Sequence, residues 1–262
     1  MLPGGQADFA GSARLSGHNR WSKLKHKKAA QGALKGLRFE KLLREITAAA
    51  RAGGADPAHN SRLRAALEAA HDASVPKEKL APALARAAGK DGGAHDEEAL
   101  YEGYGPGGVA VLVECLTDSR NRTAADVRAR LEKSGGHLAA QGAVAWQFER
   151  VGTFTVRAGP GEEQVTAAAI EAGAEEVVDH GPEGFEIRTH PGDVHAVHDA
   201  MGRALPVGPE RLVYLPKDAM RVTDPDRVRA LLHLVERLEE LDEVQAVFVN
   251  VAIDEAMAAE FG

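Results

Sequence analysis

Near residue 100 the spacing of apolar residues changes from a helical period to that of strands, and this switch constrains the fold most. Before it, Phe39, Leu42, Leu43 and Ile46 fall at i, i+3, i+4 and i+7, one stripe of an amphipathic helix. Glu40–Arg44 and Lys41–Glu45 are i,i+4 pairs on its exposed side. Gly53-Gly54 stops that helix and Asp56-Pro57 opens a turn. Leu63, Leu67 and Ala70 mark a further helix. Ser74-Val75-Pro76 starts another, with proline in its first turn, Leu80, Ala83 and Leu84 buried, and Gly89 suited to its C-cap. Helices this short hold only when packed on one another. Residues 17–92 are therefore expected to form a helical N-terminal domain.

Beyond the switch, Val109–Cys115 is a continuous apolar run of the kind that makes a buried strand. A helix with Val127 and Leu131 inward follows, stopped at Gly135-Gly136, and Ala143–Glu149 reads as another strand. Residues 151–215 then give a strand (Thr153–Val156), a helix (Glu162–Ala172), strands at Glu175–Val178 and Phe185–Arg188, a helix (Asp193–Ala204) and a strand (Arg211–Leu215). This β-α-β-β-α-β order is a split βαβ unit. A last helix opens at Asp224-Pro225 with Val228, Leu231, Leu232, Val235 and Leu238 on its stripe, before a strand over Val244–Val251. The expected fold class is α+β: a helical domain, then two split-βαβ, ferredoxin-like domains. The third (146–220) is inserted in the second (93–145 plus 221–253).

Charge narrows the function. The net −7 hides a division: residues 14–51 carry +9, residues 1–13 carry −1 and residues 52–262 carry −15. A basic segment on an acidic body points to a directed contact with a polyanion. The densest part is Gly17–Ala30, GHNRWSKLKHKKAA, where Arg20, Lys23, Lys25, His26, Lys27 and Lys28 crowd around Trp21, with Lys35 further on. At about 100° per residue these cations scatter round a helix, and a polyanion relieves their crowding by replacing condensed counterions. A solvated basic helix is the plainer alternative. Trp21 either stacks on a base or anchors the segment to the helical core, and as a single residue it fits the anchor better.

Two loops join the candidate surface. Tyr101–Gly108, YEGYGPGG, offers four glycines and the flat faces of Tyr101 and Tyr104 immediately before the buried strand. It lacks the lysine and the helix of a phosphate-binding P-loop, and a rigid turn explains it equally well. Thr117–Thr123, TDSRNRT, follows the strand. Asp118 or Ser119 is placed to cap the next helix. Arg120, Asn121 and Arg122 are expected to project beside the glycine loop, where two arginines suit phosphate recognition.

Enzymatic signals are weak. His190, His195 and His198 with Asp193 and Asp199 form a histidine-rich helix start without a further ligand set, so a metal-dependent hydrolase is only a distant alternative. Cys115 lies in an apolar run and reads as a small buried hydrophobe. One cysteine excludes a disulfide framework or a multi-cysteine zinc site. No enzyme activity, cofactor, metal or small-molecule substrate is expected. No run approaches the roughly 20 apolar residues of a membrane helix. Residues 1–16 have no apolar periodicity, no secretory core and no transit-peptide character, and are expected to be a disordered extension of a cytoplasmic protein.

Four pieces in order, GHNRWSKLKHKKAA, FEKLLREITAAAR (Phe39–Arg51), YEGYGPGG and ECLTDSRNRT (Glu114–Thr123), resemble the YebC-like proteins. These are described as probable transcriptional regulators, and the family includes the mitochondrial translational activator of cytochrome oxidase subunit I. The resemblance runs from Gly17 to Val251 and implies three domains, the third inserted in the second. It also implies a cytoplasmic, non-enzymatic regulator of gene expression that binds DNA. The alternative is a ribosome-associated translation factor that contacts ribosomal RNA and relieves stalling, proline runs included. A DNA reader needs a recognition helix; no helix-turn-helix pattern is evident, and only the 20–35 segment is basic enough. Structured RNA asks only for shape and phosphate contacts. The family usually begins at the Gly-His pair, so residues 1–15 are extra and the native chain is expected to start near Leu15. Asn19-Arg20-Trp21 stands where Ser-Lys-Trp is usual, with the charge kept.

Overall fold

A computed structural model describes Trp21, residues 35–88 and residues 96–261. The expectations for residues 1–16, Gly89, Arg20, Lys23, Lys25, His26, Lys27 and Lys28 lie outside the described residues. Lys35 opens the first described helix.

Three helices make the N-terminal part: α1 (Lys35–Gly53), α2 (Ser61–Asp72) and α3 (Lys77–Ala88). Their stripes meet as expected, with Leu43 and Ile46 of α1 against Leu63, Ala66 and Ala70 of α2 and Ala83 of α3. Asn60 joins two helix ends. Its side chain accepts from Leu63 N, capping α2, and donates at 2.8 Å to the carbonyls of Ala49 and Gly54. At 6 % exposure that amide satisfies carbonyls at the end of α1 which water does not reach.

The α+β part begins with a hairpin of β1 (Glu97–Tyr104) and β2 (Ala110–Thr117), then α4 (Arg120–Lys133) and the short β3 (His137–Leu138). Next come β4 (Phe148–Val156), α5 (Glu162–Ala172), β5 (Glu176–Asp179), β6 (Phe185–Thr189), α6 (Val194–Gly202) and β7 (Arg211–Pro216). The chain ends with β8 (Met220–Arg221), α7 (Pro225–Glu239), β9 (Val244–Val249), β10 (Val251–Ala252) and α8 (Glu255–Phe261). One antiparallel sheet has the order β3-β1-β2-β9, the other β5-β6-β4-β7, and β8 pairs in parallel with β10. The second sheet is the complete split βαβ unit, placed in the chain between β3 and α7. In the first, β2–α4–β3 is a split βαβ unit with β1 lying between its strands.

β2 is buried on both faces, the physical reason for its unbroken apolar run. Val109, Val111, Val113 and Cys115 face α4 and α7, among Val127, Leu131, Leu231, Val235 and Leu238. Ala110 and Leu112 face the other way, onto Val144, Phe148, Tyr214 and Phe248, so the inserted sheet's β7 helps to close that side.

Two readings need correction. Tyr101–Tyr104 belong to a strand, not to a loop before one. β1 shows no alternation because Glu102, 4 % exposed, sits among its inward residues. Ala143–Glu149 is not a strand: a 3-10 turn spans Ala145–Gln147, and β4 starts at Phe148. Glu102 takes the N–H groups of Gly142, Val144 and Ala145, which are then withheld from any ladder.

Candidate nucleic-acid interface

The hairpin register separates the two loops that the sequence placed side by side. Glu97 pairs with Thr117 and Tyr104 with Ala110, so the glycine turn caps one end while Arg120 and Arg122 follow from the other. At about 3.3 Å per residue the ends lie roughly 23 Å apart. Arg120 and Arg122 also form the first turn of α4 instead of a loop.

At the arginine end, charges are matched within the fold. Arg120 Nε lies 2.8 Å from Glu97 Oε1, and its Nη2 donates to the Glu98 carbonyl at 2.8 Å. Arg122 pairs with Asp118 and lies 3.5 Å from Glu243. These carboxylates offset two cations at a helix N-terminus, where the dipole disfavours them, and they raise both guanidinium pKa values. The Tyr101 hydroxyl donates to the Arg120 carbonyl at 2.8 Å. Ser119 stands at the N-cap without a side-chain bond; the Thr117 hydroxyl bonds the Thr123 hydroxyl and accepts from Ser119 N instead.

Trp21 decides how the basic segment is attached. It is 1 % exposed and belongs to the buried cluster of Val113, Cys115, Val228 and Val244. Of the two roles expected for Trp21, its burial fits the anchor and not base stacking, and the place of that anchor is corrected: the indole packs with the sheet domain and not with the helical core. Two cations of α1 also serve this docking. Arg44 donates to the Leu116 carbonyl at 2.9 Å and lies 3.5 Å from Asp96, while Lys41 reaches the Glu239 carbonyl. Trp21 and α1 therefore both pack against the sheet domain.

The glycine end is built differently. Gly105 N donates to Val109 O at 2.8 Å, and Gly107 and Gly108 adopt φ of 75° and 78°, which L side chains resist. The Tyr104 ring lies 5.2 Å from His137, and its hydroxyl donates to Ala143 O at 3.3 Å. The Glu102 carboxylate accepts from Gly142, Val144 and Ala145 at 2.6, 2.7 and 2.8 Å. Burial pushes its pKa up, but the three N–H groups outweigh this and hold it below the usual range. Above that carboxylate stands Trp146, 68 % exposed, its Nε1 donating to Ala143 O at 3.0 Å. Asn250 bridges loop and turn, accepting from Ala110 N at 2.8 Å and donating to Gln147 Oε1 at 2.9 Å.

Sequence reasoning missed Glu102 and Trp146. A strand over 143–149 would have turned Val144, Trp146 and Phe148 to one buried face; only the lone carboxylate in YEGY hinted otherwise. The histidines of α6 are engaged elsewhere. His195 meets Arg64 of α2 and lies 3.3 Å from both Asp199 and Glu210, and His198 Nε2 is 3.0 Å from Gly208 O. Among the described residues no group of three or more His, Cys, Asp or Glu is placed to hold a metal ion. Cys115 is fully buried, and desolvation pushes its thiol up to about 12. No helix among the described residues is long and apolar enough to cross a membrane.

Family models match both parts of the chain: the TACO1/YebC protein N-terminal domain over residues 19–90, and the TACO1/YebC second and third domain over residues 96–251. The chain belongs to the TACO1/YebC family. A relative from Myxococcus xanthus, named a probable transcriptional regulatory protein, is 50 % identical over 93 % of this chain and 98 % of its own length. One from Desulfotalea psychrophila with the same description is 44 % identical over the same shares. A crystal structure of a conserved hypothetical protein from Aquifex aeolicus superposes with a TM-score of 0.78 at 40 % identity, covering 86 % of this chain and 93 % of that one. The TACO1/YebC fold is therefore that of a helical N-terminal region followed by α+β domains.

Proposed function

We propose that this protein is a cytoplasmic, non-enzymatic regulator of gene expression that binds duplex DNA through its basic N-terminal segment. One observation carries the reading: +9 over residues 14–51 against −15 over residues 52–262. Arg20, Lys23, Lys25, His26, Lys27, Lys28 and Lys35 supply the phosphate contacts, held near the sheet domain by Trp21. Arg120 and Arg122, already matched to carboxylates, supply at most an exposed rim. The names of the curated relatives support transcription as the process regulated. The domains proposed are residues 17–92, residues 93–145 with 221–253, and the inserted residues 146–220.

A second reading is favoured by a specific observation. Among the described residues, the second helix of the α2–α3 pair carries only Lys77, Lys79 and Arg86 against Glu78, a weak positive charge for a helix that enters a major groove. A ribosome-associated factor that contacts ribosomal RNA and relieves stalled translation needs no such helix. Titration of a duplex at several salt concentrations tests phosphate binding. Changing Lys23, Lys25, Lys27 and Lys28 to Gln should flatten the log–log slope by about 0.9 for each duplex phosphate no longer neutralised. An unchanged slope refutes the role of the segment, and co-sedimentation with ribosomes from lysate separates the two targets.

A further inference from the structure

We propose that the exposed face of Trp146 is a stacking platform for an unpaired nucleobase, an inference that rests on the nucleic-acid reading above and gives it a second, chemically distinct contact. One hydrogen bond orients the ring, and the backbone beneath it is fixed. Its Nε1 is spent on Ala143 O, and the backbone of the loop beneath it is pinned through the N–H groups of residues 142, 144 and 145 to the buried Glu102 carboxylate. The exposed indole therefore has its one donor already engaged. Such a ring stacks on any base and reads none by hydrogen bonding. A ring already oriented by a hydrogen bond loses less rotamer freedom on binding than a free one.

The surroundings suit a polyanion. From Lys133 to Phe148 the chain holds no Asp or Glu, the neighbouring turn Gly105–Gly108 holds none, and Glu102 is buried and saturated. On a body with −15 over residues 52–262, this is a stretch that a phosphate backbone approaches without repulsion from the loop itself. The exposed Arg227 side chain lies along Gly107, where a Cβ would meet its Cδ at 2.9 Å, and adds a cation at the turn. Gly108 and Gly142 have no atoms near the position of an added Cβ, so both sides of the loop are low and open.

A protein partner fits less well. A stable protein interface covers about 800 Å² per side. The other large exposed apolar residues among those described, Ile170 and Leu212, lie on α5 and at the far end of β7, not beside Trp146. One ring among Gly, Ala and Gln is the size of a base.

The chain has two tryptophans and the other is buried, so base-induced quenching of emission reports Trp146. The probes are an oligouridine and an oligothymidine of about twelve nucleotides, with a duplex of similar length as control, titrated into the full chain. Stacking predicts quenching by the single strands. It also predicts an affinity loss of roughly 5- to 100-fold in Trp146→Ala, rescue by Trp146→Phe, and unchanged binding of the duplex. Preference between the two oligomers tells RNA from DNA as the source of the base. Equal single-strand affinity in Trp146→Ala and the wild type overturns the platform and leaves the basic-segment reading intact; so does an equal loss on the duplex. Failure of the wild type to bind any probe at low salt removes the nucleic-acid reading itself. A concentration-dependent dimer abolished by Trp146→Ala assigns the ring to a second copy and also overturns the platform.

Discussion

At one end of the β1–β2 hairpin, two exposed arginines are matched to Glu97, Asp118 and Glu243. At the other end, a carboxylate is sealed in the core and a tryptophan stands in solvent. Charge is thus satisfied in two different ways at ends that lie roughly 23 Å apart. What differs is the supply of partners. At the arginine end, side chains of opposite sign meet, so the charges cancel. At the glycine end, backbone N–H groups satisfy the acid, so no cation is needed and the loop that supplies them carries the indole outward. An exposed arginine in a sequence motif is therefore a weaker sign of a ligand site than an aromatic ring held in solvent by a saturated loop.

Five variants break or sharpen this contrast. Trp21→Ala should cost about 3–5 kcal/mol, the scale for emptying a large aromatic site, read as a fall in the denaturation midpoint. Trp146→Ala, by contrast, should stay within about 0.5 kcal/mol of the wild type. Should the two variants melt alike, the assignment of anchor and platform is wrong.

Glu102→Ala comes next, at about 3 kcal/mol, because three N–H groups are deprived of a charged acceptor. Its pH dependence has a definite sign. The folded pKa lies below the ordinary 4.5, so the stabilisation is present above that value and fades as the pH falls through the lower folded value. Glu102→Gln should flatten that part of the acid-stability profile, and an unchanged profile would refute the role given to the carboxylate.

Smaller still is the effect expected from Arg120→Ala combined with Arg122→Ala. Both pairs are exposed, and such ion pairs contribute little. The melting temperature should barely move, and duplex affinity should fall far less than in the quadruple lysine variant. A loss as large as that of the lysines would place the phosphate site at the arginine end. The smallest effect is chemical: native Cys115 should resist a thiol reagent at neutral pH until the protein unfolds, given a thiol at about 12.

Much of the architecture is legible without the structure. The stripe Phe39–Ile46, the proline-led start of α3, the double-sided burial of β2 and the whole β4–β7 unit follow from apolar spacing, since each signal is complete within one element. The misread elements are those in which a polar residue stands inside. β1 is hidden because Glu102 interrupts its pattern, and the segment 143–149 mimics a strand because its apolar spacing matches one. Of the candidate surface, the sequence names the basic segment but does not say where it is moored, and it pairs two loops that the hairpin register drives apart.

By itself, then, the sequence determined what is local or additive: helical and strand periods, turn glycines such as Gly107 and Gly108, and the charge of each segment. Tertiary structure alone decided which tryptophan is core and which is surface, and which charges are already spent. The reason is the reach of the contacts involved. Glu102 meets its N–H donors about forty residues away, Arg44 meets Leu116 across 72 and Asn250 meets Ala110 across 140. No window of neighbouring residues contains both partners of such a pair, so only the folded chain determines whether a polar side chain faces solvent or is already satisfied.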